Sequence, residues 1–165
     1  MQKIWQAKID WDENLDGDIL SSWIKFCESL HLVSGIRIPR LAVAPHAMGI
    51  ELHGFCDASG TAYGAVVYIR SLFADGTARM QMLCSKSKVA PTGTTTIPRK
   101  ELLAAHLLSR LTVRVQEDLK MNIKNIALWS DSQVVLAWFK KPPESLQIFV
   151  RNRVTDIIKL TASCT

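Results

Sequence analysis

Three stretches with strand character follow one another from Gly49, separated by turns too short to hold a helix, and this arrangement limits the fold more than any other feature. In residues 49–57, Ile50, Leu52, Gly54 and Cys56 alternate with Glu51, His53, Phe55 and Asp57, the two-residue period of a strand with distinct faces. Ala58-Ser-Gly-Thr reads as a turn in which Gly60 supplies backbone freedom, and Tyr63-Gly-Ala-Val-Val-Tyr-Ile-Arg reads as a second, nearly all-apolar strand. Asp75-Gly76 marks the next turn. Residues 78–86 then give a third strand, with Met80, Met82 and Cys84 expected on one face. Strands joined by such short connections pair antiparallel, so the sequence predicts a meander.

Helices alternate with strands after that. The polar loop 90–96 leads into Ile97-Pro-Arg-Lys-Glu-Leu-Leu-Ala-Ala, where a Thr96 cap and Pro98 in the first turn signal a helix start. Periodicity carries this helix to about Leu119. Asn125-Ile-Ala-Leu-Trp-Ser is a short fourth strand, and Asp131-Ser-Gln-Val-Val-Leu-Ala-Trp-Phe opens a helix that must stop at Pro142-Pro143. A last amphipathic helix covers residues 146–160. The order from residue 48 is βββαβαα, which predicts an α/β fold with a mixed sheet flanked by helices. Upstream, Ile19, Leu20, Trp23, Ile24, Cys27 and Leu30 recur at the spacing of one buried helix face. Pro39, Pro45 and Gly49 interrupt that pattern, so a boundary is expected near residue 47, between a short helical segment (1–47) and the sheet domain (48–165).

Composition narrows the class. With 165 residues, 48% apolar and 21% charged, the chain is long enough for one domain with a real core and is neither disordered nor fibrous. No apolar run approaches the ~18 residues of a membrane span, and Met1-Gln-Lys-Ile-Trp lacks a signal-peptide pattern. These features predict an intracellular, cytoplasmic chain with no membrane contact. Cys27, Cys56, Cys84 and Cys164 form no C-x-x-C pair, which argues for reduced thiols over a zinc ribbon or disulfide scaffold. The net charge of +5 is uneven: residues 1–47 carry 5 basic and 6 acidic groups, residues 48–165 carry 15 and 9. The sheet domain therefore suits a polyanionic partner.

Three acids stand out by position. Asp57 ends the first strand, Glu101 is expected in the first turn of the long helix, and Asp131 sits where the fourth strand passes into a helix. Strand ends and helix starts are where sheet-based folds converge side chains on one edge. Carboxylates gathered there repel one another and call for cations, the chemistry of a two-metal phosphodiester hydrolase, with Mg²⁺ the natural hard ion. Each acid also has a structural alternative: a turn acid for Asp57, a helix-dipole partner for Glu101, and a helix cap for Asp131.

Gly54-Phe-Cys-Asp-Ala-Ser, Tyr63-Gly-Ala-Val-Val-Tyr, Leu83-Cys-Ser-Lys-Ser-Lys-Val-Ala-Pro, Ile97-Pro-Arg-Lys-Glu-Leu-Leu-Ala-Ala, Leu128-Trp-Ser-Asp-Ser-Gln-Val-Val-Leu-Ala-Trp and Phe149-Val-Arg-Asn-Arg-Val occur in order. Together they closely resemble the ribonuclease H region of Bel/Pao-type retrotransposon polyproteins, whose sequences are also labelled Pao retrotransposon peptidase. Trp5, Asp10-Trp11-Asp12 and Ile38-Pro39-Arg40 resemble the end of the reverse transcriptase that precedes this region. The resemblance implies a ribonuclease H-like fold that hydrolyses the RNA strand of an RNA–DNA hybrid. Asp57, Glu101 and Asp131 fall on the first three carboxylates of its metal site, with Glu101 a ligand and Asp57 a bridge between two Mg²⁺ ions, for which Mn²⁺ could substitute. Expected partners are the hybrid and the rest of the pol polyprotein, with its reverse transcriptase and integrase. The family fold also has a final strand and a helix bearing a fourth carboxylate, for which this chain offers no match; Asp156 does not fit that motif. The alternative expectation is thus an inactive ribonuclease H-like remnant that at most binds nucleic acid.

Other chemistries fail on spacing. Asp57-Ala-Ser-Gly and Asp131-Ser-Gln miss the Asp-Thr/Ser-Gly of an aspartic protease. His31, His46, His53 and His106 form no H-x-x-x-H, and no Gly-x-Ser-x-Gly occurs. His106 reads as a half-buried core histidine, and Ser59 and Ser132 as turn hydroxyls. The basic clusters are Lys86 with Lys88, Arg99 with Lys100, Lys140 with Lys141, and Arg151 with Arg153. The first four residues, Lys86, Lys88, Arg99 and Lys100, are the expected nucleic-acid contacts. Trp129 and Trp138 are expected in the core.

Overall fold

The computed structural model describes residues 2–91, 95–162 and 164; residues 92–94, inside the expected polar loop, lie outside them. Two compact units divide between Ile38 and Pro39. In the first, α1 (Gln2–Ala7) and α2 (Gly17–Ser29) are followed by a 3₁₀ turn, Leu30–Gly35. The helical period of residues 19–30 is met, but its burial is not: α2 has no buried residue, and Trp23 and Ile24 stay about half exposed. An apolar stripe is covered only where a second layer faces it, and this unit supplies none.

The second unit begins at Pro39 rather than near residue 47. Ala44 is buried, its amide donates to Ser71 Oγ at 3.0 Å, and Ala42 and Val43 pack on the sheet's core. The meander follows as β1 (Gly49–Ala58), β2 (Ala62–Leu72) and β3 (Ala78–Val89), paired antiparallel in sequence. Gly76, at φ 81°, takes the left-handed turn position that other residues avoid. A bulge between Val67 and Tyr68 shifts the register, so Cys84 pairs with Val67 while Met82 pairs with Tyr68. That shift breaks the expected single face of Met80, Met82 and Cys84, because one extra residue turns a strand's later side chains over. β4 (Ile123–Trp129) joins parallel to β1, giving the order β3-β2-β1-β4. This is the predicted mixed sheet.

The helices are α3 (Ile97–Leu119), α4 (Gln133–Phe139) and α5 (Ile148–Leu160). Pro98 sits in the first turn of α3 as expected, although the Thr96 side chain makes no capping bond. The helix ends at Lys120, whose left-handed backbone closes the last turn. Leu107, Leu108 and Val115 of α3 pack on Leu52, Ala65, Val67 and Ile69. Gly54 makes that contact close: a Cβ there would lie 2.6 Å from Leu108 Cδ1 and 2.9 Å from Leu128 Cδ2. The same helix turns Leu102 and Ala105 to a second cluster with Val135 of α4 and Val150, Val154 and Ile157 of α5. Helix α3 is thereby fixed on both sides. Among the described residues, no helix is long and apolar enough to cross a membrane.

Candidate active site

The parallel pairing of β1 and β4 sets the first distance relation. Phe55 is in register with Trp129, the last residue of β4, so Asp57 lies two residues further along β1 and Asp131 two residues past the end of β4. Glu101 reaches the same edge from α3: its Oε2 accepts from Ser132 Oγ at 2.5 Å. Ser132 is buried and is also the N-cap of α4, its hydroxyl accepting from the Val135 amide at 3.2 Å. One side chain therefore ties the Glu101 carboxylate to the residue after Asp131.

Burial first, then the charges of Asp131, Asp57 and Glu101, push the Cys56 thiol up to about 11, with Ser130 opposing in part. Carboxylates from three different elements are thus felt by one sulfur on β1. The structural alternatives fare unequally. Asp57 Oδ1 does accept from the next amide, Ala58, at 2.6 Å. The cap of α4 is Ser132 and not Asp131, and Glu101 lies beyond the first turn of α3 and is spent on Ser132. Ser59 organises the β1–β2 turn, bonding Thr61 and Ala62, as a turn hydroxyl should.

Donor chemistry here suits a hard divalent cation: three carboxylates, two of them exposed. As they stand, no three His, Cys, Asp or Glu side chains among the described residues are gathered to hold a metal ion.

The four expected nucleic-acid contacts divide. Lys86 and Lys88 are exposed on β3. Lys100 is buried at 7% exposure, and its ammonium donates to the Gly60 carbonyl at 2.5 Å, so it clamps α3 to the turn after Asp57 and is not a free cation. Arg99 is half-buried, bonded to Gln147 at 2.8 Å and placed over the Phe149 ring. Trp129 also departs from expectation: it is 53% exposed, whereas Trp138 packs against the second cluster. The Trp129 ring lies parallel to Phe55 and to His53 on the helix-free face, and its Nε1 donates to His53 Nδ1 at 3.4 Å. His106 is half-buried as expected and meets Asp156 at 3.2 Å.

Asp57, Ser59, Tyr63 and Lys86 line an open hollow of about 460 Å³. The family described as Pao retrotransposon-like RNaseH-like domain matches residues 1–132, a span that contains all three acids. The chain belongs to this family. Its Pao-type, RNase H-like fold is the α/β mixed sheet described above. Among solved structures, the Pao-type chain is similar to RNase H1 from the halophilic archaeon Halobacterium salinarum NRC-1, at 17% identity over 69% of this chain and 79% of that one, with a TM-score of 0.40. It is also similar to the PFV RNase H domain, at 11% identity over 69% and 71% of the two chains, TM-score 0.38. The Prototype Foamy Virus protease-reverse transcriptase is matched at 12% identity over 79% of this chain and 17% of that one, TM-score 0.39. A search of the curated proteins finds no match.

Proposed function

We propose that this Pao-type domain hydrolyses the RNA strand of RNA–DNA hybrids during reverse transcription, as part of a pol polyprotein with a reverse transcriptase and an integrase. The observation that carries this reading is the placement of three acids at one sheet edge, inside the span matched to the family: Asp57 at the end of β1, Asp131 two residues past β4, and Glu101 bonded to the neighbouring Ser132. Those three carboxylates would hold Mg²⁺, or Mn²⁺ in its place. Bound there, the ions would supply charge that stabilises both the attacking and the leaving oxygen of an in-line displacement. The protein's own part is placement. Ser132 holds Glu101, Lys100 holds the turn after Asp57 against α3, and the β1–β4 register sets Asp57 beside Asp131. Residues 1–47 would be the end of the reverse transcriptase.

The experiment is incubation of a hybrid, labelled on either strand, with the chain in Mg²⁺ or in EDTA. RNA-strand fragments in Mg²⁺ alone are expected; RNA cleavage in EDTA, or equal cleavage of the DNA strand, would sink the reading. A second reading, an inactive fold that only binds nucleic acid, draws on the spread of the acids as they stand. It predicts binding with no fragments in either condition.

A further inference from the structure

On the helix side of the sheet, the edge strand β3, the outer flank of α3 and α5 enclose a groove of about 510 Å³. Lys86 and Lys88 are in register with Ala65 and Tyr63, residues that pack toward α3, so both lysines project from the same face of β3. Arg110 and Arg114 of α3 and Arg153 of α5 complete the wall, and Glu117 is its one carboxylate. Arg114 is answered by Asp118 at 2.9 Å and Glu117 at 3.8 Å. Lys86, Lys88 and Arg110 have no ion pair among the described residues.

Such crowding is unfavourable in isolation. Arg110 and Arg114 are like charges one helical turn apart, a mildly destabilising arrangement in which Asp118 and Glu117 answer Arg114 and leave Arg110 unanswered among the described residues. The positive field reaches His106 in the groove wall: burial first holds its imidazole below the ordinary range, Arg110 and Arg153 add to that, and Asp156 opposes. Length and continuity indicate the anion. From Leu103 to Glu117 the helix runs about 20 Å at 1.5 Å per residue, room for several successive phosphates. Tyr63 and Lys86 line this groove and the Asp57 hollow alike, so the two are contiguous.

We propose that the groove binds the phosphodiester backbone of the hybrid through Lys86, Lys88 and Arg110, and passes it to the Asp57 hollow by way of Tyr63 and Lys86. The proposal rests on the hydrolase reading for the identity of the nucleic acid. Phosphate contacts of this kind set affinity and register without reading sequence.

The test measures binding of a fluorescent hybrid to the full chain in EDTA, across roughly 50–200 mM salt, so that cleavage plays no part. The Lys86→Gln/Arg110→Gln double variant is expected to lower the slope of log affinity against log salt by about 2 and to weaken binding about 10-fold, whereas Lys86→Arg/Arg110→Lys keeps both. An unchanged slope in the double Gln variant would overturn the proposal, as would an acidic peptide of similar charge displacing the hybrid as well as hybrid itself does. Groove-dependent binding by a chain that never cleaves in Mg²⁺ would leave the groove standing and remove only the hydrolase reading.

Discussion

The acid-bearing edge and the basic groove share α3 but are built in opposite ways. Asp57, Glu101 and Asp131 come from three elements far apart in sequence, and only the β1–β4 register and the Ser132 bond bring them together. The groove also draws on three elements, but most of its cations come in local pairs, with Arg110 and Arg114 a turn apart on one helix and Lys86 and Lys88 two apart on one strand. The edge tolerates repulsion among anions and the groove repulsion among cations. On the proposed reading a hybrid backbone would relieve the second and divalent ions the first, dividing the work into chemistry at the edge and affinity in the groove.

The sharpest way to break this comparison is Asp131→Asn. It should reduce hybrid cleavage in Mg²⁺ by a factor on the order of 10³, the scale of losing one electrostatic stabiliser, with binding in EDTA retained. Rate assays and anisotropy on the same samples separate the two. Next in size is Leu102→Ala, which opens the cluster that fixes α3 to α4 and α5. A loss of about 3 kcal/mol in urea unfolding is expected, against under about 0.5 kcal/mol for Trp23→Ala on the exposed α2.

Smaller effects sharpen it further. Ser132→Ala removes both the Glu101 bond and the α4 cap; about 1 kcal/mol of stability should go, with slower cleavage, and Ser132→Thr should restore both. The smallest effect concerns Cys56, whose thiol is raised from an ordinary 9.0 to about 11. Because its folded value lies above its unfolded one, the associated stability is complete below pH 9 and is lost as pH climbs toward 11. Alkylation followed against pH should find Cys56 titrating late, and Asp131→Asn should move that titration downward.

The comparison also explains what the sequence discloses. The meander was legible because alternation and short turns are local, and the acids stood out because each sits near an element end, whereas the place of β4 beside β1 is a non-local pairing that no local pattern discloses. Lys100 was not legible, since nothing in Arg99-Lys100-Glu101 says which residue turns inward to Gly60. Trp129 misled because an apolar strand does not disclose which of its faces is covered, and its side is the helix-free one. The α2 stripe misled likewise, as periodicity reports a face and not what covers it. Arg110, Arg114 and Arg153 were missed as a groove because their meeting with β3 depends on how α3 and α5 pack, although the one-turn spacing of Arg110 and Arg114 was there to be read.

Single-turnover cleavage of an end-labelled hybrid by the unaltered chain and by Asp57→Asn, with binding in EDTA measured in parallel, tests the division most directly. The account predicts similar binding by both and RNA fragments from the unaltered chain alone, whereas cleavage that survives Asp57→Asn would contradict it.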